Sequence, residues 1–422
     1  MNAKTTYTKR AWVVTLTASL YFFYQFIQMN FFNSINGELR ATYQLDAVQL
    51  GQLFSMYFYA NFLFLFPAGS MIDRFSPRKV LLAAIAVTTL GTFIFSMASH
   101  YWMAALGRFM VGAAAAFCFL TCIRIASRWF MPQQMAFVTA MVVTMAMLGG
   151  LVAQSPFTWL IQYTGSWHTV LYLNSALGLV ILIAALLIVQ DHPPDATEAA
   201  LTEHHHLNQL GLWRSIKLAA LNPQNWLGGC YTALTNLPVF ILGGLWGILY
   251  LTNVHHITQE QASLATTIFF VGVILGSLAY GWISDHIGQR VMPMVAGAIL
   301  SLIVMVLLMY VPSLPFWSLV LLFFLTGFFT SSQVLTYPLI AELNPSYLTS
   351  TALSIDSLCI MASGFIVPAL FGWLMEIGRD TTATTYTATE FNHAMLLMPV
   401  ALIIAFLITF FMKETNCQPR EN

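Results

Sequence analysis

Two charges stand alone inside long apolar runs. Arg108 sits in GRFMVG, and Asp356 is the one carboxylate lying clearly within such a run. A guanidinium keeps its charge at any ordinary pH, so away from water it needs a counter-charge, a cargo or a solvated pocket. An isolated carboxylate in apolar surroundings can take and give up a proton. A third group of candidates is polar and uncharged. In YFFYQFIQMNFF, residues Tyr21, Tyr24, Gln25 and Gln28 fall with Phe32 in one stripe of a helix turning about 100° per residue. Two phenols and two amides on one stripe suit either hydrogen bonding between helices or the wall of a polar cavity, and we expect the cavity. Further along, Asn236 precedes Pro238 by two residues, where a helix bends and frees carbonyls, and Gln333 stands four residues before Tyr337. Asn236, Gln333 and Tyr337 would line a substrate path. Arg124 lies 16 residues beyond Arg108, about 160° around a helix, so the two arginines serve different places. Arg124 could hold an anionic group in an inner vestibule or simply mark the interface.

The elements that carry these residues are set by composition. Of 422 residues, 58% are hydrophobic and 8% charged, with a mean hydropathy of +0.74. Apolar runs of about 20 residues recur along the chain, each able to cross a hydrocarbon core of roughly 30 Å as a helix. Without water the backbone must satisfy its polar groups within the segment, which requires helices here. We expect twelve, at 11–34, 48–71, 80–98, 102–125, 135–160, 169–189, 225–250, 262–283, 291–311, 317–340, 351–375 and 394–412. The fold class is therefore all-α membrane protein, with a six-helix bundle at 1–189, a linker at 190–224 holding an amphipathic helix in LNQLGLWRSIKLAAL, and a second bundle with a short tail at 225–422.

The basic residues orient this chain. With the N-terminus in the cytoplasm, thirteen of the sixteen Lys and Arg fall on the cytoplasmic side, two on the far side, and Arg108 within a span. Both termini would be cytoplasmic in a multi-pass protein of the cytoplasmic (inner) membrane. Lys9 and Arg10 lead into a run too long for a cleavable signal, so the first span is expected to stay. Gly69 and Gly281 stand 212 positions apart, as do Asp73 and Asp285, and Pro156 and Pro368. Such an offset reads as a duplicated six-helix unit, the usual construction of transporters whose halves rock about a shared cavity.

At the duplicated loops the chain gathers charge. GSMIDRFSPRK holds Asp73, Arg74, Arg78 and Lys79, and GWISDHIGQR holds Asp285 and Arg290. Positive charge alone would keep the loops inside, but it leaves the two aspartates unexplained. A breakable ionic latch between helix ends explains both signs. The first stretch resembles the G-x-x-x-D-R-x-G-R-R/K loop signature of the major facilitator superfamily, and GRFMVG resembles its fourth-helix R-x-x-x-G signature. Ser76 and Pro77 depart from the pattern, as does His286 where arginine is common. The resemblance implies alternating access by secondary transport, gating roles for Asp73, Arg74, Arg78 and Asp285, and proton coupling or helix packing for Arg108. Asp356 would either titrate as a coupling site or join the gate. RIASRWFMPQQMAF and MLGGLVAQSPFTWL are similar to the branch that includes bacterial intraphagosomal amino-acid carriers.

The expected activity is proton-coupled import of a small polar metabolite, an amino acid or related nutrient. Export of a drug or siderophore, carriage of an organic anion or nucleoside, and a non-transporting receptor remain as alternatives. The proton gradient would supply the energy, with no cofactor. A net charge of zero gives no reason to expect nucleic acid as a partner. The partners expected are a small-molecule substrate and membrane lipid, around a monomer. No Walker loop and no hydrolase motif occur, so an enzyme is not expected. The five cysteines form no CxxC pair, and the His204–His206 and His255–His256 runs lack neighbouring ligands, so no metal site is expected.

Overall fold

The computed structural model describes residues 3–130, 134–193, 212–311, 314–345, 348–377 and 386–418. Among these there is helix and no strand. The helices join into twelve rods: α1 (Ala3–Asn30, continued by Phe32–Tyr43), α2 (Ala47–Arg74), α3 (Pro77–Ser96), α4 (Tyr101–Ala115 and Cys118–Trp129), α5 (Met135–Val152 and Ser155–Thr164), α6 (Trp167–Ile188), α7 (Pro223–Thr235, a π-helical stretch Val239–Leu245, and Gly247–Val254), α8 (Gln259–Ile287), α9 (Val291–Tyr310), α10 (Phe316–Thr330, a 3-10 stretch Ser331–Leu335, and Thr336–Leu343), α11 (Thr349–Glu376) and α12 (Ala388–Met395 and Leu397–Thr409). Ten are long and apolar enough, among the described residues, to cross a membrane. Within the linker, a short helix covers Leu212–Leu221.

The sequence predicts a bend at Asn236–Pro238, and other rods are interrupted as well. Pro238 removes a backbone donor just after the first α7 segment ends at Thr235 with Asn236 as its C-cap, and the chain goes on into a π-helix whose seven residues are all buried. Such a stretch is tolerated at membrane depth because it is covered by protein. α10 changes to 3-10 geometry at Ser331–Leu335, which includes Gln333.

The chain forms two compact units, Met1–Leu45 with Gln52–Glu198, and Asp46–Gly51 with Ala199–Asn422. Each is built by the same pairings. In the first, α1 packs on α5, and α3 on α4 and α6; in the second, α7 packs on α11, and α9 on α10 and α12. Gly112 of α4 lies against the Tyr57 carbonyl, where a Cβ would come within 2.1 Å of the oxygen. Gly327 of α10 does the same at the Phe269 carbonyl, at 2.2 Å. Only glycine lets the helices approach this closely.

Candidate functional site

In the first unit the α1 stripe is buried throughout, with Tyr21 and Tyr24 at 0% and Gln25 and Gln28 at 1% exposure. Much of it is committed to neighbouring helices. Tyr21 Oη donates to the Ala114 carbonyl at 2.9 Å and pairs with Thr88 Oγ1 at 3.1 Å. Gln25 Nε2 donates to Tyr21 Oη and Thr88 Oγ1, and Tyr24 Oη donates to Thr92 Oγ1. What remains open is Gln25 Oε1 and both polar atoms of the Gln28 amide.

Arg108 lies beside this stripe, 1% exposed. Its Nη1 donates to the Gln28 carbonyl at 2.6 Å. Its Nε and Nη2 have no hydrogen-bond partner among the described residues, and no carboxylate pairs with it there. The guanidinium carbon stands 4.3 Å from the Phe32 ring centre, 5.1 Å from Tyr57, 5.6 Å from Phe31 and 6.0 Å from Phe54. Ring faces attract the cation. They supply neither an anion nor acceptors for the free N–H groups.

The second unit holds the opposite charge. Asp356 on α11 is 0% exposed, and neither of its carboxylate oxygens makes a well-formed hydrogen bond among the described residues. The hydroxyls of Thr232 and Thr336 stand next to it, 2.7 Å from each other. The Gln333 carbonyl, 2.7 Å from Thr336 Oγ1, and the Gly228 carbonyl, 3.2 Å from Thr232 Oγ1, compete with the acid for the two hydroxyl protons. Tyr337 is also beside Asp356, and is 40% exposed. Gln333 Nε2 donates to Asn236 Oδ1 at 3.1 Å, leaving Gln333 Oε1 unpaired and buried. The structure therefore brings Asn236 and Gln333 together and puts Tyr337 at the acid. Arg124 is half-buried in the second segment of α4.

The side chains of Asp73 and Arg74 lie outside the described residues, as do Pro132 and His204–His206. Arg78 donates its amide to Asp191 Oδ1 at 2.9 Å and its Nη2 to the Leu186 carbonyl at 2.7 Å. Asp191 also accepts from the Ser76 hydroxyl and pairs with Arg128 at 3.4 Å. In the second unit Asp285 pairs with Arg290 at 2.6 Å, and Arg290 reaches Glu342 at 2.8 Å. Burial lowers the Arg290 pKa, but the hydrogen bonds it donates to Glu342 and Asp285 outweigh that and leave the pKa raised. Glu414 accepts the Arg290 and Val291 amides at 2.8 and 2.7 Å, capping α9. Asp191, Glu342 and Glu414 are absent from the residues that sequence spacing singles out. A signal existed: Asp191 and Glu414 each follow the last apolar run of a repeat within a few residues.

Relatives include the probable galactarate/D-glucarate transporter GudP of Escherichia coli K12, 24% identical over 86% of this chain and 84% of the relative. The D-galactonate transporter of Escherichia coli O6:H1 is 24% identical over 81% and 84%. A probable hexose phosphate transport protein of Chlamydia pneumoniae is 24% identical over 64% of this chain, which spans 63% of that relative. None of these three is named for amino acids. Among solved structures, a bacterial homologue of the human lysosomal transporter Spinster superposes with a TM-score of 0.76 at 16% identity, covering 95% of this chain and 96% of that one. A D-xylose–proton symporter gives 0.75 at 14% identity, covering 97% and 99%. These likenesses bear on the fold. The family model described as Major Facilitator Superfamily matches residues 17–244 and 229–421. The twelve-rod architecture, the two like-built units and that match together make the chain a member of the major facilitator superfamily, a non-enzymatic, multi-pass secondary transporter of small organic metabolites.

Proposed function

We propose that the protein carries a small organic anion across the cytoplasmic membrane by alternating access, with its termini in the cytoplasm and with proton coupling through Asp356. The observation that carries this reading is Arg108, a buried cation with two unused N–H donors and no acid beside it among the described residues. A buried charge is costly unless it is paired, so such a site is completed by an anion that arrives and leaves. Sugar acids and sugar phosphates, the cargoes in the names of the relatives, are anions. An amino acid needs an acid to hold its ammonium group, and among the described residues the first unit offers none at Arg108. Asp356 supplies the coupling group. Unpaired and fully buried, it is best accommodated with its charge neutralised by a proton, and becomes costly when that proton leaves.

Uptake into proteoliposomes with an imposed pH gradient tests both parts. Arg108→Gln is expected to lower uptake of an anionic cargo at least 100-fold while the protein still elutes as a folded species. Asp356→Asn is expected to abolish pH-driven accumulation while preserving cargo exchange across the bilayer. Uptake unaltered by Arg108→Gln would remove the anion reading, and pH-driven accumulation by Asp356→Asn would remove the coupling role.

A further inference from the structure

Resting on the organic-anion reading, we infer that the cargo bears a single carboxylate, gripped side-on by Arg108, next to a hydroxyl held by the amide of Gln28. The free positions on Arg108 are not arbitrary. Nη1 is committed to the Gln28 carbonyl, while Nε and Nη2 are open. These two nitrogens share one edge of the planar guanidinium, and their parallel N–H bonds match the two oxygens of a carboxylate. The edge that best recognises a carboxylate is the edge left vacant.

The count of charges fixes the cargo's valence. Among the described residues only two basic side chains are nine-tenths buried, Arg108 and Arg290. Arg290 already binds Asp285 and Glu342. Arg124 lies 16 residues beyond Arg108, about 24 Å along a helix, several times the length of a six-carbon chain. The groups around Arg108 are the rings of Phe31, Phe32, Phe54 and Tyr57. Their faces carry negative charge density and repel a second anion. A phosphate monoester dianion or a dicarboxylate would leave one negative charge desolvated and unpaired there, a cost that a monocarboxylate avoids.

Gln28 supplies the second contact. It is 1% exposed, and both its amide nitrogen and its amide oxygen lack partners among the described residues. The same residue's main-chain oxygen holds Arg108. An amide that offers both a donor and an acceptor suits a hydroxyl, which is both at once.

Binding of four probes to the purified full chain tests this: D-gluconate, D-glucarate, D-glucose 6-phosphate and D-glucose, at neutral pH by calorimetry. D-Gluconate is expected to bind tightest, the two dianions at least 10-fold more weakly, and D-glucose at least 100-fold more weakly. Arg108→Lys keeps the charge but loses the fork, and should weaken D-gluconate at least 10-fold without changing Tm. Gln28→Leu leaves the main-chain contact intact and should erase the preference for D-gluconate over its 2-deoxy analogue. If either dianion binds as tightly as D-gluconate, the single-carboxylate inference is overturned and the anion reading survives. The same holds if Arg108→Lys binds D-gluconate like the parent. If D-glucose binds as well as D-gluconate and Arg108→Gln changes nothing, the anion reading itself fails. Folded protein that binds none of the four also overturns the inference.

Discussion

The two units repeat one plan, yet each has a buried charge the other lacks. Tyr21 Oη on α1 bonds the Ala114 carbonyl of α4 and Thr88 of α3, and Tyr231 Oη on α7 likewise bonds the third and fourth rods of its unit, with carbonyl and hydroxyl exchanged: the Met294 carbonyl of α9 and Ser332 of α10. Gly112 meets the Tyr57 carbonyl as Gly327 meets that of Phe269. Aligned on those glycines, Arg108 corresponds to Phe323. The Arg108–Tyr57 contact at 5.1 Å thus becomes a Phe323–Phe269 ring pair at 6.5 Å. Aligned on Pro156 and Pro368, Asp356 corresponds to Thr144. The scaffold needs neither charge, since the other copy closes the same helix contacts without it. One cation and one acid that packing does not require, on different rods, support the roles proposed for them.

The comparison breaks or holds on exchanging the copies. Arg108→Phe places in the first unit what the second already packs, and removes a buried charge that has no acid partner among the described residues. Transport is expected to vanish, a loss of at least 100-fold in kcat/KM, while Tm stays level or rises. Retained transport, or a loss of Tm as large as a core truncation gives, would mean that Arg108 is packing. The effect on function should be the largest of any single change here.

The helix ends sharpen the contrast at smaller scale. At the foot of the fourth rod of each repeat stand residues of opposite sign, Arg128 on α4 and Glu342 on α10. Arg128 meets Asp191 at 3.4 Å with both side chains about one-fifth exposed. Glu342 meets Arg290 at 2.8 Å, with side-chain exposures of 12% and 10%. A looser, wetter pair contributes less. Arg290→Ala, which strands a mostly buried Glu342, is expected to cost about 3 kcal/mol of stability, and Arg128→Ala about 1 kcal/mol or less. Thermal or denaturant unfolding reads both. Equal losses would show that the two ends are held alike.

Much of this was legible in the sequence, for physical reasons. Membrane-length apolar runs allow little besides helices, so the rods and the linker helix at Leu212–Leu221 were foreseeable. The Asn236–Pro238 step announced the break in α7. Arg108 and Asp356 stood out because an isolated charge in an apolar run has few explanations. The role of Tyr21, Tyr24 and Gln25 was less legible. A polar stripe has the same spacing whether it faces a cavity or a neighbouring helix, and three of the four stripe residues bond to α3. The caps at Asp191 and Glu414 were hidden because their partners are backbone amides more than a hundred residues away.

One of those caps offers an effect of similarly small size. Glu414 Oε1 accepts the Arg290 amide at 2.8 Å and Oε2 the Val291 amide at 2.7 Å, and both lie at the positive end of α9. Burial pushes its carboxyl pKa up, but these amides, with those of Asn416 and Thr415, hold it below the usual glutamate value. A carboxyl with a lowered folded pKa stabilises the protein above its unfolded pKa, and that stabilisation is lost as pH falls through the folded value. Glu414→Gln replaces one acceptor oxygen with an amino group facing an N–H, and should cost about 1 kcal/mol at neutral pH. The Tm gap between parent and variant is therefore expected to be full above the ordinary glutamate range near 4.5 and to close at lower pH. A gap that persists unchanged into acid would mean that Glu414 acts by shape alone, and that its charge has no part in capping α9.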